Sequence, residues 1–302
     1  MRPLFLAITF LVTLSAQDNF IGDVFEKGSI NYGDRTIQAI GIGFIPENVI
    51  NAGQARRSAM RIAKQDALRQ LIEIVNGVNV TSETTVSGAM FDDVIKTQVQ
   101  GAIRGARQIG QPKYLSDTSV EITYEVKMAD ISRVLLPMAE KAPTLTFDNV
   151  TATAPAGTAA AAPEQQQAGT DTGVKSGGVT GIIIDGTGLG LRPAMSPRIL
   201  NQGGSVVYGP GQYSRDYAAA NGVAGYAKSV DQAKSDTRVQ GNPLVIRAAS
   251  ASGSTSADVV ISNADAGRLA VADGAAGVFK NCRVVCVCLL YTTDAHHEGS
   301  GV

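Results

Sequence analysis

Tryptophan is absent from the 302-residue chain, and Tyr and Phe together bring the aromatics to only 5%. So few rings argue against an RNA-binding platform, which stacks bases on exposed aromatics. Charge is sparse as well. Charged residues make up 18% and the formal net charge is -1, so no overall field favours nucleic acid or an anionic membrane. The chain has two histidines, His296 and His297, both in the polar tail. Without a G-x-S-x-G motif either, a Ser or Cys nucleophile finds no imidazole base. Asp92 and Asp93 are adjacent, so they diverge on a helix and do not form an acid/base pair. No residue is expected to be catalytic, cofactor-binding or metal-ligating.

Cysteine is scarce and badly placed for cross-linking. Cys282, Cys286 and Cys288 crowd into one late segment, whereas disulfide-stapled secreted domains spread an even number along the chain. A fold independent of disulfides is expected. No Cys precedes Cys282, so an N-terminal lipid attached through a signal-peptide Cys is not expected, and membrane contact would be indirect.

Long apolar runs are missing except at the start. MRPLFLAITFLVTLSA has a basic start at Arg2, an apolar run from Leu4 to Leu14, and small residues at Ser15 and Ala16. This is the three-part pattern of a secretory signal, with cleavage expected near Ala16. The run is shorter than the ~20 apolar residues a spanning helix needs. Export to the periplasm follows as an expectation.

What is present is glycine, 33 residues of it, and enough length for two domains of ordinary size. Residues 139–177 hold almost no large apolar side chains and cannot offset their ordering entropy, so they read as a disordered linker. The fold class expected is α+β, with two small mixed α/β domains at 36–138 and 178–290 and a polar tail at 291–302. QDNFIGDVFEKGSINYGD reads as a loose arm before the first domain.

In the first domain TIQAIGIGFIP alternates as a strand. A long helix follows from Ala52 to Val75, with Asn51 as N-cap and Gly77 as its stop. Ala55, Ala59, Ile62, Ala63, Ala67, Leu71, Ile74 and Val75 form its apolar stripe. VNVTSETTV reads as a strand, Asp92 to Ala106 as a helix, RQIGQPKYL and VEITYEVKM as strands, and ISRVLLPM as a closing helix. The first sheet is therefore β-α-β-α-β-β with helices on one face. In the second domain GIIID, SVVYG, PLVIRAASAS, ADVVISN and CRVVCVCLL read as strands. SRDYAAANGVAGYAKSVDQAKSD is helical in parts, broken at Gly222 and Gly225, and Ala264 to Ala270 forms a short helix capped by Ser262 or Asn263.

Three constellations could carry function. Gly186, Gly188 and Gly190 follow a strand, but the spacing G-x-G-x-G runs into Leu191, Arg192 and Pro193 rather than a helix, so tight turns explain them better than a dinucleotide loop. Cys282, Cys286 and Cys288 with His296 and His297 have zinc-type donors, yet C-x3-C-x-C is not a usual knuckle spacing and buried Cys is that residue's ordinary state. Arg56, Arg57, Arg61 and Lys64 read as a solvated helix face, with Asp66 and Glu73 following.

AGQARRSAMRIAKQDALRQLIEIVNGVNVTSETTV, VIKTQVQGAIRGARQIG and TSVEITYEVKM together make Gln38 to Met128 resemble the bacterial LPP-twenty outer-membrane lipoprotein family. GIIIDGTGLGLRPAMSPRIL, GYAK, NPLVIRA, VVISNADAGRL and CRVV resemble the C-terminal region that accompanies this domain in some members. The resemblance implies an outer-membrane-associated protein without catalysis. Relatives include the flagellar assembly proteins P and T, which implies self-association into a ring and envelope or flagellar protein partners. The family's lipid-bearing Cys has no counterpart here. The leading expectation is a periplasmic structural or assembly protein associated with the outer membrane. The alternatives are an envelope module binding a glycan or protein, and a metal-dependent hydrolase.

Overall fold

In the first lobe, glycine and alanine set how closely helix and sheet approach. The computed structural model describes residues 20–45, 51–116, 118–139 and 178–288. The lobe contains β1 (Gly22–Phe25), β2 (Gly28–Asn31), β3 (Thr36–Gly43), α1 (Ala52–Asn76), the single turn α2 (Val86–Ala89), α3 (Asp93–Arg104), β4 (Arg107–Tyr114), β5 (Val120–Lys127) and α4 (Met128–Ala139). Its five strands pair antiparallel in the order β1-β2-β3-β5-β4. Alternation along β3 buries Ile37, Ala39, Gly41 and Gly43 against α1, whose own buried row is Ala55, Ala59, Ala63, Ala67 and Leu71. A Cβ on Gly41 would stand 2.1 Å from the Ala63 carbonyl oxygen, and one on Gly43 1.9 Å from that of Ala59. The two glycines therefore let the backbones pack directly on one another.

Asn51 caps α1 as expected, its side chain accepting from Gln54 N at 2.8 Å, and Gly77 closes it. Asp92 caps α3 through the amides of Val94 and Ile95. Three readings of this lobe need correction. The arm before Thr36 contributes β1 and β2, a hairpin that extends the sheet. VNVTSETTV adds no strand to that sheet, making only an isolated bridge between Asn79 and Thr85. Its backbone is committed elsewhere, as the lobe junction shows. Ile62 also leaves the expected stripe. It lies on the flank of the alanine row, 42% exposed.

The second lobe contains β6 (Ile182–Asp185), β7 (Ile199–Asn201), β8 (Val206–Tyr208), α5 (Arg215–Asn221), β9 (Gly225–Ala227), α6 (Val230–Ser235), β10 (Leu244–Arg247), β11 (Ser250–Ser252), β12 (Asp258–Ile261), α7 (Asn263–Ala276) and β13 (Val284–Val287). A parallel sheet runs β10-β6-β13-β9, and a mixed sheet runs β11-β12-β7-β8. Parallel strands covered on both faces read as continuous apolar runs, which is why IIID and VVCV lack alternation. Ile182, Ile184, Val284 and Cys286 face the main core, while Ile183, Val285 and Val287 face Ala233 and Val239 on the other side. β7 and β9 were not expected, and α7 runs longer than the Ala264–Ala270 reading. The fold class is α+β with two mixed lobes. The signal segment, nearly all of the 139–177 linker and the 291–302 tail lie outside the described residues.

The lobes meet over one hydrophobic cluster that joins Ile30, Ile37, Leu71 and Leu135 to Ile184, Tyr213, Tyr226 and Val284. Helix α4 packs on α5, and Tyr32 meets Tyr226 edge-on at 5.7 Å between ring centroids. The VNVTSETTV segment is the docking piece. Met195 N donates to Asn79 O at 2.9 Å and Ser196 N to Val80 O at 2.8 Å. Thr255 N and the Ser254 hydroxyl donate to Ser82 O. Arg35, at φ 57, donates through Nη1 to Ala220 O at 2.5 Å, satisfying a carbonyl at the end of α5. Burial, with Arg238 close by, lowers its pKa to about 10. Arg238 donates to Gly222 O and Cys282 O from within the second lobe.

Candidate docking site

The clearest open feature is a groove along the flank of α1. It exists because β2 is shorter than β3: their pairing ends at Gly28 and Ala39, whereas β3 continues to Gly43. Beyond Ala39 the strand edge is met by single groups. Ile40 N donates to Lys27 O at 2.8 Å, and Ile42 N donates to the Asp66 carboxylate at 3.0 Å. Asp66 thus blunts an edge that would otherwise invite another strand.

The groove has a volume of about 640 Å3 and is lined by Lys27, Ile42, Phe44, Arg61, Ile62 and Asp66, with Gln65 and Arg69 beside them. Phe44 is 60% exposed and Ile62 42% exposed. Large apolar side chains left open together mark an interaction surface more often than singly scattered ones do. Three cations, Lys27, Arg61 and Arg69, surround them against the single carboxylate of Asp66. That carboxylate is already engaged, since Arg69 Nη2 donates to it at 2.7 Å. Burial alone would raise the Asp66 pKa, but the Ile42 amide and the Arg69 guanidinium outweigh it and hold the group below its ordinary value.

Directly beside the groove stands the β1–β2 hairpin tip. Val24 and Phe25 there are 65% and 44% exposed. Asp23 and Glu26 flank them. Lys27 belongs to both features, for it also lines a second hollow of about 400 Å3 with Phe25, Glu26, Gln70 and Glu73.

Of the residues singled out from sequence, only Arg61 joins the groove, together with Asp66. Arg56, Arg57 and Lys64 are exposed on other parts of α1. Arg56 lies over the Tyr114 ring at 5.4 Å and Lys64 over Tyr124 at 5.8 Å, contacts of the cation–π kind. Asp92 is spent on its helix cap and Asp93 opens the first turn of α3. Gly188 and Gly190 adopt φ of +80° and +66°, so the loop after β6 uses them for turning. Gly186 is crowded by Leu191 and by Val287 O. The loop runs on into the 193–196 stretch that meets the first lobe.

The cysteines share the inner face of the second lobe. Burial pushes the Cys286 and Cys288 thiols up to about 12 and also raises that of Cys282. Among the described residues no three His, Cys, Asp or Glu side chains are grouped to hold a metal ion. His296 and His297 lie outside those residues. Also among the described residues, no helix is long and apolar enough to cross a membrane.

What made the groove invisible in sequence is its dependence on how far β2 runs beside β3. The signal that existed was Phe44, an aromatic beyond the last buried position of TIQAIGIG.

These features define a two-lobed α+β body with an open, partly apolar groove on its first lobe. Residues 181–290, which comprise the second lobe from the start of β6 to beyond β13, match the family model described as Treponema pallidum Tp0624, second domain. Gln38 to Met128, which carry the LPP-twenty resemblance, lie outside that match, whereas the stretches from GIIID to CRVV lie within it. No curated protein matches the chain.

Proposed function

We propose that this chain is a non-catalytic assembly protein of the bacterial cell envelope, a two-lobed frame that holds protein partners along the flank of α1. The observation that carries the reading is the pair Phe44 and Ile62, open to solvent at a groove edged by Lys27, Arg61 and Arg69. Apolar anchors within a charged rim are the usual anatomy of a protein interface. The secretory pattern of the first sixteen residues supports an envelope setting, and the LPP-twenty resemblance supplies the outer membrane and flagellar basal structures as its context. The suppressed thiols, and the Ser82 hydroxyl tied to Asp258, support a role without bond-making.

The test is a photo-reactive side chain placed at Ile62 in cells, with the still more exposed Val271 on α7 as the control position. Discrete adducts to envelope proteins that disappear with Arg61→Glu are expected, with the chain recovered in the envelope fraction. Adducts no different from those at Val271, or recovery in the cytosol, overturn the reading.

One observation favours a second reading, glycan binding. A cleft of about 340 Å3 between the lobes is lined by Asp34, Gln232, Ser235, Asp236 and Thr237, polar groups suited to sugar hydroxyls. Calorimetry with soluble peptidoglycan fragments decides it: heat lost on Asp236→Ala supports it, and no heat removes it.

A further inference from the structure

We propose that the groove on the α1 flank is filled by the β1–β2 hairpin tip of a second copy of this chain, reciprocally, to form a two-fold dimer. This rests on the groove being a docking site and names its occupant.

Complementarity between two surfaces of the same molecule is the argument. The tip is a ridge with Val24 and Phe25 exposed and Asp23 and Glu26 on either side. The groove is a hollow with Phe44 and Ile62 exposed and Lys27, Arg61 and Arg69 around them. Ridge matches hollow, apolar meets apolar, and the acidic shoulders meet the basic rim. Glu26, Lys27 and Arg61 form no ion pair among the described residues, so these charges are not spent within the copy. Within one chain the tip is fixed at the edge of the groove rather than free to fold into it, because Lys27, in the turn of the hairpin, lines the hollow and its carbonyl accepts from Ile40 N.

Position sets the symmetry. Tip and groove are neighbours sharing Lys27, so one two-fold axis beside Lys27 lets each copy's tip enter the other's groove. Such an isologous contact closes on itself, whereas separated complementary patches generate chains. A charged rim of this kind governs orientation and approach, and its contribution weakens with salt.

The test uses the purified full chain in sedimentation equilibrium and light scattering. A species of twice the 31.4 kDa chain mass is expected, dissociating as salt rises. Glu26→Arg and Arg61→Glu should each weaken association about tenfold, and the two together should restore it. Phe25→Ser should weaken it without rescue by either charge change. Circular dichroism of each variant, unchanged from the parent, confirms that folding is intact. A monomer at every concentration overturns the proposal, as does a dimer indifferent to both charge reversals. If the dimer is missing while Ile62 still forms specific envelope adducts, this inference falls and the docking reading stands. If both are missing, both fall.

Discussion

The Ser82 hydroxyl donates to the Asp258 carboxylate at 2.5 Å, joining residues 176 positions apart in sequence. Arg198 completes the arrangement: its backbone N and Nε donate to Asp258 at 2.9 and 2.7 Å, and its Nη2 donates to Ser82 Oγ at 2.9 Å. Asp258 is buried to 1% exposure, so its charge is satisfied entirely by these donors. Gly253, at φ +86°, makes the approach possible, since a Cβ there would lie 2.2 Å from the Ser82 Cβ.

Removing Arg198 leaves a buried carboxylate without its cation. Arg198→Met is expected to cost about 3–5 kcal/mol of unfolding free energy, and Ser82→Ala about 1–3 kcal/mol. Urea denaturation followed by far-UV circular dichroism measures both. A loss below ~1 kcal/mol for Arg198→Met would show that the cluster does not hold the lobes.

Gly41 and Gly43 are expected to be intolerant of even one methyl group. The atoms a Cβ would strike are backbone carbonyls of α1, which cannot rotate away. Gly43→Ala should cost about 1–3 kcal/mol or more, as overpacking of a closed interface does. Gly101→Ala on α3, where nothing lies within 4 Å, should be neutral or slightly stabilising. Equal effects in the two variants would contradict the close α1–β3 packing.

The three thiols should be silent in the native state. With Cys286 and Cys288 pushed up to about 12 and Cys282 also raised, almost no thiolate exists at pH 8. A thiol-specific chromogenic reagent should label none of them within minutes in buffer and all of them in denaturant. Rapid native labelling of one equivalent would contradict their burial.

Acid should weaken the fold through two carboxylates. Asp66 and Asp185 are both held below the ordinary 3.8, although burial pulls each upward. For Asp66 the Ile42 amide and Arg69 win. For Asp185 it is Thr187 and then Arg247, whose Nη1 lies 2.6 Å from Oδ2. A native value below the unfolded one means the stabilisation is complete above about pH 4 and disappears as pH falls through the native value. Asp66→Asn and Asp185→Asn should each flatten the acid limb of a stability–pH curve. An acid limb of unchanged steepness in the double variant would contradict the assignment.

Local patterns exposed much of this fold. Asn51, Gly77 and the alanine row mark α1 because capping and helical period act within a few residues. VEITYEVKM shows its alternation because one face of β5 packs on α1, and GIIID shows none because both faces of β6 are covered. The misreadings come from segments whose partners are distant. VNVTSETTV has the β-branched residues of a strand, but the Asn79, Val80 and Ser82 carbonyls accept from the second lobe, while the Val80 amide turns back to Thr84 O. GDVFEKGSIN reads as polar, and it becomes a hairpin because β3 offers Ile37 and Gln38 to pair with Ile30 and Ser29. The groove on the α1 flank is of the same kind. Ile62 reads in sequence as part of the buried stripe, and it lines one groove with Phe44 because β2 stops short.

The account's central claim is that residues on both sides of 140–177 form one body, held by the VNVTSETTV segment and a shared core. Producing residues 1–139 and 178–302 as two separate chains in one cell, with a tag on the first only, tests it most directly. The account predicts that the untagged chain co-purifies in equal amount and that Arg198→Met weakens its retention. Loss of the untagged chain in the first wash, with the tagged one still folded, would show two independent domains on a tether.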